Sequence, residues 1–196
     1  MLVTAHPEML LDTILSRCIL VQLAAPADRA LTAPQARLLD LLARFFRTPN
    51  PGLGGVFELV REFTLLLAEA KSAVQDEGDA ELKREEALYK QTTDGKWLGE
   101  REEHFKALSE ARYLQTRNVF IETLLQWWGD VLRQQHGSEV LDFPGYAEAT
   151  GELAKRFTTG EVLSRVTALE GLRENFNRNV QEQLAIEVAF LKAFGG

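Results

Sequence analysis

The spacing of apolar residues divides the chain into a short mixed segment and a long helical part behind it. Near the start, two apolar runs at 2–5 and 19–23 flank a turn at Pro7 and a short helix, which predicts two buried strands. From residue 55 onward apolar residues recur every three or four positions, the period of an amphipathic helix. The pattern therefore predicts an α/β piece at 1–24, a helix and linker at 25–54, and a helical bundle at 55–196.

Two signatures mark predicted helix starts. Thr32 and Gln35 form a capping-box pattern with Pro34 in the first turn, and Thr158 and Glu161 repeat it. The clearest break is the stretch 48–55, which holds two prolines and three glycines. Further helices are predicted over about 56–74, 100–135, 144–157, 158–176 and 180–194. The second of these should end at Gly137. The residues of the first that should face inward are Phe57, Val60, Phe63 or Thr64, Leu67 and Ala70. The charged, sparsely apolar stretch 75–103 is interpreted as a solvated helical arm with a break at 94–95.

The helix predicted over 100–135 carries two adjacent apolar rows, so it is expected to be buried on more than one side. Trp127 and Trp128 are neighbours on it and point about 100° apart. Core packing is the simpler interpretation of both, and the alternative is that one of them meets a neighbouring subunit. The last helix leaves little polar surface and is the better interface candidate. Its interface candidates are Leu184, Val188, Phe190 and Leu191.

Composition narrows the function classes. The chain has 196 residues, 45% of them hydrophobic, which is enough for a sizeable core. A formal net charge of −7 argues against a stand-alone nucleic-acid binder. The single cysteine, Cys18, excludes a disulfide framework and a cysteine-based zinc site, and it fits a reducing cytoplasm. No apolar run approaches the roughly 18 residues of a membrane span.

The sequence offers no catalytic constellation of its own. It has no Gly-x-x-x-x-Gly-Lys-Ser/Thr loop, so no backbone cradle for ATP phosphates is encoded, and the glycines at 52–55 belong to a linker. The three histidines are widely spaced, which argues against a metal site. The expectation is therefore a chain that is not an enzyme on its own and binds neither cofactor nor metal.

Two stretches resemble a known family. The first is a Pro-Glu turn followed by a Thr-Ile-x-Ser-Arg-Cys box, formed by Pro7, Glu8, Thr13, Ile14, Ser16, Arg17 and Cys18. It resembles the segment that ends the ATPase domain of AAA+ clamp-loader subunits. The second is an Asn-rich turn leading into an apolar Leu-Ala-x-Glu helix at 175–191. Together with 125–132 it is similar to bacterial DNA polymerase III clamp-loader subunits of the delta-prime type. The stretch 24–112 matches no family pattern.

The resemblance implies a fold and a site. The fold would be mainly α: a helical collar domain behind a small N-terminal remnant of an AAA+ α/β domain, the C-terminal fragment of a longer protein. Arg17, supported by Ser16, would be an arginine finger that reaches ATP and Mg²⁺ held by a neighbouring subunit. The alternative for Arg17 is a structural pair with Glu8 or Asp12. Ala5 or His6 stands where ATP-hydrolysing relatives tend to have a polar residue.

The implied role is that of a non-catalytic subunit of the DNA polymerase holoenzyme, cytoplasmic and without a membrane. Its partners would be other clamp-loader subunits, the sliding clamp, and primed DNA through the assembled complex. One alternative is a fragment of an ATP-hydrolysing gamma/tau-type subunit. Another is a non-enzymatic helical interaction domain with a vestigial AAA+ segment. Five basic residues could touch DNA phosphates, but simple exposure to solvent is the more economical interpretation of each. They are Lys155, Arg156, Arg165, Arg173 and Arg178.

Overall fold

A computed structural model describes residues 31–48, 51–89, 95–176, 178 and 180–195. The regular structure in these ranges is helical. The helices are α1 (Ala33–Arg47), α2 (Gly52–Tyr89), α3 (Gly95–Gln135), a short 3₁₀ helix (Pro144–Tyr146), α4 (Ala147–Arg156), α5 (Thr159–Phe176) and α6 (Glu182–Phe194). The predicted helical bundle is therefore confirmed. The predicted α/β remnant at 1–24, with Ser16 and Arg17, lies outside the described residues.

Both predicted capping boxes form. The backbone N–H of Gln35 donates to the Thr32 hydroxyl at 3.4 Å, and the Gln35 side chain accepts from the Thr32 N–H at 3.2 Å. At the start of α5, the Thr158 N–H donates to the Glu161 carboxylate at 2.7 Å and the Glu161 N–H donates back to the Thr158 hydroxyl at 3.3 Å. The hydrogen bonds from Thr158 lower the pKa of the Glu161 carboxyl, because they favour its charged form.

Helix α3 is the centre of the bundle, because α1, α2, α4 and α5 all pack against it. Its side chains are buried on two sides, as the broad apolar stripe predicted. The C-terminal end of α3 is formed by a glycine in the left-handed backbone conformation. Gly137 has φ +72°, and the N–H groups of Gly137 and Ser138 donate to the carbonyls of Gln134 and Arg133 at 3.1 and 2.9 Å.

An aromatic cluster joins the helices around α3. It consists of Phe46, Trp127, Trp128, Phe157 and Phe194. Phe46 lies at its middle: its ring centre is 6.4 Å from Trp127 in a stacked arrangement and 5.4 Å from Trp128 edge to face. Phe194 reaches the same site from α6, 6.0 Å from Phe46 and 6.1 Å from Trp128. The cluster therefore ties α1 and α6 to the two tryptophans of α3.

Helix α1 and the helices that follow residue 55 pack into one compact unit, which begins at Thr32. Leu38, Leu39 and Leu42 of α1 are fully buried in the same core as the helices that follow. Helix α2 begins at Gly52, so the expectation that the glycines at 52–55 belong to a linker is wrong: they form the first turn of α2, which packs into the same core as α1.

The charged stretch consists of the end of α2 and the start of α3, and residues 90–94, next to the predicted break at 94–95, lie outside the described residues. Helix α2 continues well past the predicted end at 74, and the part of α3 before residue 113 runs beside it. We call residues 71–89 and 95–113 the arm. The Arg101 guanidinium donates to both oxygens of Glu85, at 2.6 and 2.7 Å. A Cβ on Gly78 would collide with the Ser109 hydroxyl, so glycine permits the close approach of the two helices there.

One predicted core position of α2 is wrong. Phe57 was expected to face inward, but it is 51% exposed, and Leu53 one turn earlier is 66% exposed. The core side of this helix is formed by Val56, Leu59 and Phe63 instead. Phe57 lies about 120° around the helix from Phe63, so it cannot share that side.

Replacing Thr158 by Ala removes the hydroxyl that caps α5 and is expected to lower the free energy of unfolding by about 1 kcal/mol. The measurement is urea unfolding followed by circular dichroism. Thr167→Ala is the matched control, because among the described residues the Thr167 hydroxyl donates to the Leu163 carbonyl within the same helix, and Ala is a better helix former. Equal destabilisation by both variants would contradict the capping role.

Candidate interaction surface

The inner side of α6 is fixed in the core. The Phe190 ring lies 4.8 Å from Phe63 of α2 and 5.0 Å from Phe194, which belongs to the aromatic cluster. Small side chains between these rings let α6 approach closely. The buried residues of α6 are Ala185, Ile186, Ala189, Phe190, Ala193 and Phe194. Because this side of the helix is fixed, the direction of its outer side is fixed too.

The first turn of α6 is held by a clamp formed by Tyr113, Arg117, Phe176 and Glu182. Arg117, which is 8% exposed, donates to Glu182 at 2.7 Å and to the Phe176 carbonyl at 3.3 Å. Its guanidinium also lies 4.3 Å from the centre of the Phe176 ring. The Tyr113 hydroxyl donates to the second oxygen of Glu182 at 2.8 Å. The clamp therefore ties the end of α5 and the start of α6 to α3.

The clamp also meets the root of the arm. The Lys71 ammonium lies 5.2 Å from the centre of the Tyr113 ring. Burial raises the pKa of the Tyr113 hydroxyl, and the hydrogen bond to the Glu182 carboxylate adds to this effect. The raised pKa favours the neutral form of Tyr113, in which its hydroxyl can donate to Glu182.

The last turn of α6 is capped by a buried arginine. Arg165 is 8% exposed and donates to the Ala193 carbonyl at 2.7 Å. Its guanidinium lies 4.3 Å from the Phe157 ring centre and 5.4 Å from that of Trp128. Burial lowers the pKa of Arg165, because it disfavours the charged form. The expectation of a solvated Arg165 is thus wrong, because this cation neutralises carbonyls at a helix C-terminus.

The outer side of α6 carries an apolar row that no described residue covers. Val180, Leu184 and Val188 stand four residues apart and are 41%, 51% and 42% exposed. Leu191 extends the row and is partly buried. We call these four residues the outer row. Beside the row, the Gln183 amide donates to the Glu187 carboxylate at 3.0 Å.

The predicted interface residues divide into two groups. Leu184 and Val188 are exposed, and Leu191 is partly exposed, as an interface requires. Trp127, Trp128 and Phe190 are fully buried, with 0% exposure. The prediction of an interface contact for these three is therefore wrong for this conformation. Adjacent tryptophans on α3 are both covered because helices pack on two sides of it, and Phe190 faces α2.

Sequence reasoning missed three features of this surface. Val180 precedes the helix, so its place in the outer row has no sequence signal except its spacing of four from Leu184. Arg117 and Arg165 were not recognised as buried residues, because their acceptors lie 65 and 28 residues away along the chain. The sequence signal for Arg117 is its position four residues before the buried Ile121, which places it in line with the apolar side of α3.

A cavity lies between α1, α2 and α4. Its volume is about 1080 Å³, and its lining mixes carboxylates with arginines. Arg37 donates to Glu69 at 2.5 Å, and the Tyr146 hydroxyl donates to Asp40 at 2.8 Å. Burial and that carboxylate raise the pKa of Tyr146 to about 12. These groups are engaged with each other, so the lining does not form a nucleophile with a base.

Comparison with protein-family models, with curated proteins and with solved structures finds no match to this chain. Among the described residues, no group of three or more His, Cys, Asp or Glu side chains is placed to hold a metal ion. Within the same ranges, no helix combines the length and the apolar character needed to cross a membrane. The outer row of α6 is therefore the feature on which a functional proposal can rest.

Replacing Trp127 by Ala tests whether this side chain belongs to the core. We expect a loss of about 3–5 kcal/mol in the free energy of unfolding, because a large buried side chain leaves a cavity. Phe57→Ala is the control, and its exposed ring predicts a change of about 0.5 kcal/mol. Urea denaturation measures both. A Trp127 variant as stable as the wild type would contradict the core assignment.

Replacing Glu182 by Ala leaves the buried Arg117 without its carboxylate. The expected loss is roughly 1–3 kcal/mol, less than for a fully buried pair because the Glu182 side chain is 38% exposed. Glu187→Ala, which removes only a surface hydrogen bond to Gln183, should change stability by about 0.5 kcal/mol or less. Thermal unfolding of the two variants and the wild type measures the difference, and equal values for the two variants would refute the clamp.

Proposed function

We propose that this chain is a delta-prime-type subunit of the bacterial DNA polymerase III clamp loader, represented by the end of its ATPase domain and its collar domain. Two resemblances support the proposal, one at each end of the chain and in the order that the family has. The confirmed helical bundle supports it further, because a mainly α collar is what the resemblance implies for the long C-terminal part. The assignment to the clamp loader, and to the delta-prime type within it, rests on the two sequence patterns.

The observation that carries the proposal is the outer row of α6. A helix whose inner side is buried and whose outer side exposes Leu184 and Val188 is built to pack against a further helix. These residues lie within 175–191, the stretch that is similar to the end of clamp-loader subunits. In the proposal, α6 joins neighbouring subunits in a ring, and the ring loads the sliding clamp onto primed DNA in the cytoplasm.

The ATPase-domain remnant supplies the second part of the proposal. Arg17, supported by Ser16, is donated to ATP and Mg²⁺ on a neighbouring subunit, where a guanidinium stabilises the charge that develops during phosphoryl transfer. The chain binds no nucleotide itself, because no phosphate-binding loop is encoded. A gamma/tau-type subunit would differ by carrying such a loop upstream of residue 1.

The outer row also fits a second candidate, a non-enzymatic helical interaction domain with a vestigial AAA+ segment. The two candidates differ in the partner that covers the row. Affinity capture with the tagged chain, using purified clamp-loader subunits of the same organism as prey, separates them. Capture of the sister subunits supports the clamp-loader role, whereas no capture at micromolar concentration favours the second candidate.

Replacing Arg17 by Ala in a reconstituted ring tests the arginine finger. ATP turnover at the neighbouring site should fall by about a thousandfold. The total ATP turnover of the ring should therefore fall by the fraction that this one site contributes to it. Assembly, measured by gel filtration, should not change. Arg47→Ala is the control, because Arg47 is an exposed residue of α1. Unaltered ATP turnover in the Arg17 variant would leave this residue with a structural role only.

A further inference from the structure

The clamp is the place where the arm joins the rest of the bundle. Lys71, the first residue of the arm on α2, lies 5.2 Å from the ring centre of Tyr113, the last residue of the arm on α3. The Tyr113 hydroxyl donates to one oxygen of Glu182 at 2.8 Å, and Arg117 donates to the other at 2.7 Å. One buried side chain, that of Tyr113, therefore connects both helices of the arm to the first turn of α6.

The first turn of α6 has little else to hold it. Its N-cap residue, Gln181, makes no side-chain hydrogen bond to the helix, so the turn lacks the stabilisation that a capping side chain gives. Val180 and Leu184 are exposed, and the buried residues of α6 begin only at Ala185. Among the described residues, the turn is therefore held to α3 mainly through the carboxylate of Glu182.

The arm is held loosely as well. A cavity of about 680 Å³ lies between its two helices and is lined from Leu82 to Tyr113, so the helices are not closely packed over that length. The ion pair of Glu85 with Arg101 is partly exposed and adds little stability. Elements with few buried apolar contacts open locally while the rest of a protein stays folded. The arm and the first turn of α6 both fit this description.

We infer that the arm controls the order of the first turn of α6, because Tyr113 joins the two into one cooperative unit that opens together. When the arm helices part, Tyr113 loses its contact with Lys71 and Glu182 loses a donor. When the turn of α6 unwinds, Tyr113 and Arg117 are left as buried donors without their carboxylate, which is unfavourable. Whatever holds the arm closed thus also holds Val180 and Leu184 in place.

This inference goes beyond the proposed function, because it concerns the single chain. Leu184 and Val180 belong to the outer row, so the state of the arm sets how much of that row is ordered before a partner arrives. An ordered surface loses less conformational entropy on binding. The coupling holds whichever protein covers the row. Its test needs no partner, so the inference and the proposed function can fail separately.

The test locks the arm with a disulfide and measures α6. A Cβ on Gly78 would lie 3.7 Å from the Cβ of Ser109, a separation that a disulfide spans. The full chain therefore carries Gly78→Cys and Ser109→Cys, with Cys18→Ser to prevent other pairings. The same protein is studied in its reduced form and after treatment with oxidised glutathione, and mass spectrometry verifies that the disulfide has closed.

Amide hydrogen exchange, measured by NMR, reports how often each helix start opens. The Ala185 N–H donates to the Gln181 carbonyl at 3.0 Å and reports the first turn of α6. The Val162 N–H donates to the Thr158 carbonyl at 3.1 Å and is the matched reporter at the start of α5. We expect oxidation to slow exchange at Ala185 by fivefold or more and at Val162 by less than twofold. Slower exchange in the arm without a change at Ala185 would overturn the inference.

Tyr113→Phe in the same disulfide variant tests the route of the coupling. It removes the hydroxyl that donates to Glu182, so oxidation should then change exchange at Ala185 by less than twofold. An effect of oxidation that is equally large with and without this hydroxyl would also overturn the inference, since Tyr113 would not be the link.

A second pair of variants tests the coupling without a disulfide. Arg101→Ala removes the ion pair with Glu85 and loosens the arm, so exchange at Ala185 should become faster by twofold or more. Arg84→Ala is the matched control, because Arg84 is an exposed residue of the arm, and it should leave Ala185 unchanged. Faster exchange of arm amides in Arg101→Ala with wild-type exchange at Ala185 would show that the arm opens independently of α6.

Discussion

The contact on which the bundle most depends is the burial of Trp127 and Trp128 at the middle of α3. Two adjacent indoles point in directions about 100° apart, so both can be covered only if helices pack on two sides of α3. Phe46 from α1 and Phe194 from α6 meet there. Neither indole N–H has an acceptor among the described residues, so apolar and ring contacts outweigh that loss.

This arrangement explains why α6 can present an apolar outer side without disturbing the core. The clamp of Arg117 and Glu182 fixes its first turn, and Arg165 fixes its last turn. Both arginines are buried and both bond to backbone carbonyls near the ends of helices, which are groups that would otherwise lack donors. The helix is thus held at both ends as well as along its inner side. Such a preorganised surface loses little conformational entropy when a partner binds.

The sequence predicted well the features that depend on residues close together in the chain, and predicted poorly those that depend on residues far apart. Capping boxes at Thr32 and Thr158 and the helix end at Gly137 depend on residues a few positions apart, and the structure confirms all three. The extent of the arm depends on pairs such as Glu85 with Arg101, which have no local signature. Phe57 was misplaced because apolar residues stand on more than one side of α2. The assignments of Ser16 and Arg17 rest on motif likeness alone, since the first 30 residues lie outside the described ranges.

The central claim is that the outer row of α6 is the surface through which the proposed ring contacts form. Methyl NMR of the full chain, labelled at Leu and Val and titrated with purified sister subunits, tests it residue by residue. The account predicts that the methyl signals of Leu184 and Val188 shift or broaden, while those of Leu163 and Val140, which are also exposed, do not. Changes at Leu163 and Val140 without changes on α6 would contradict it.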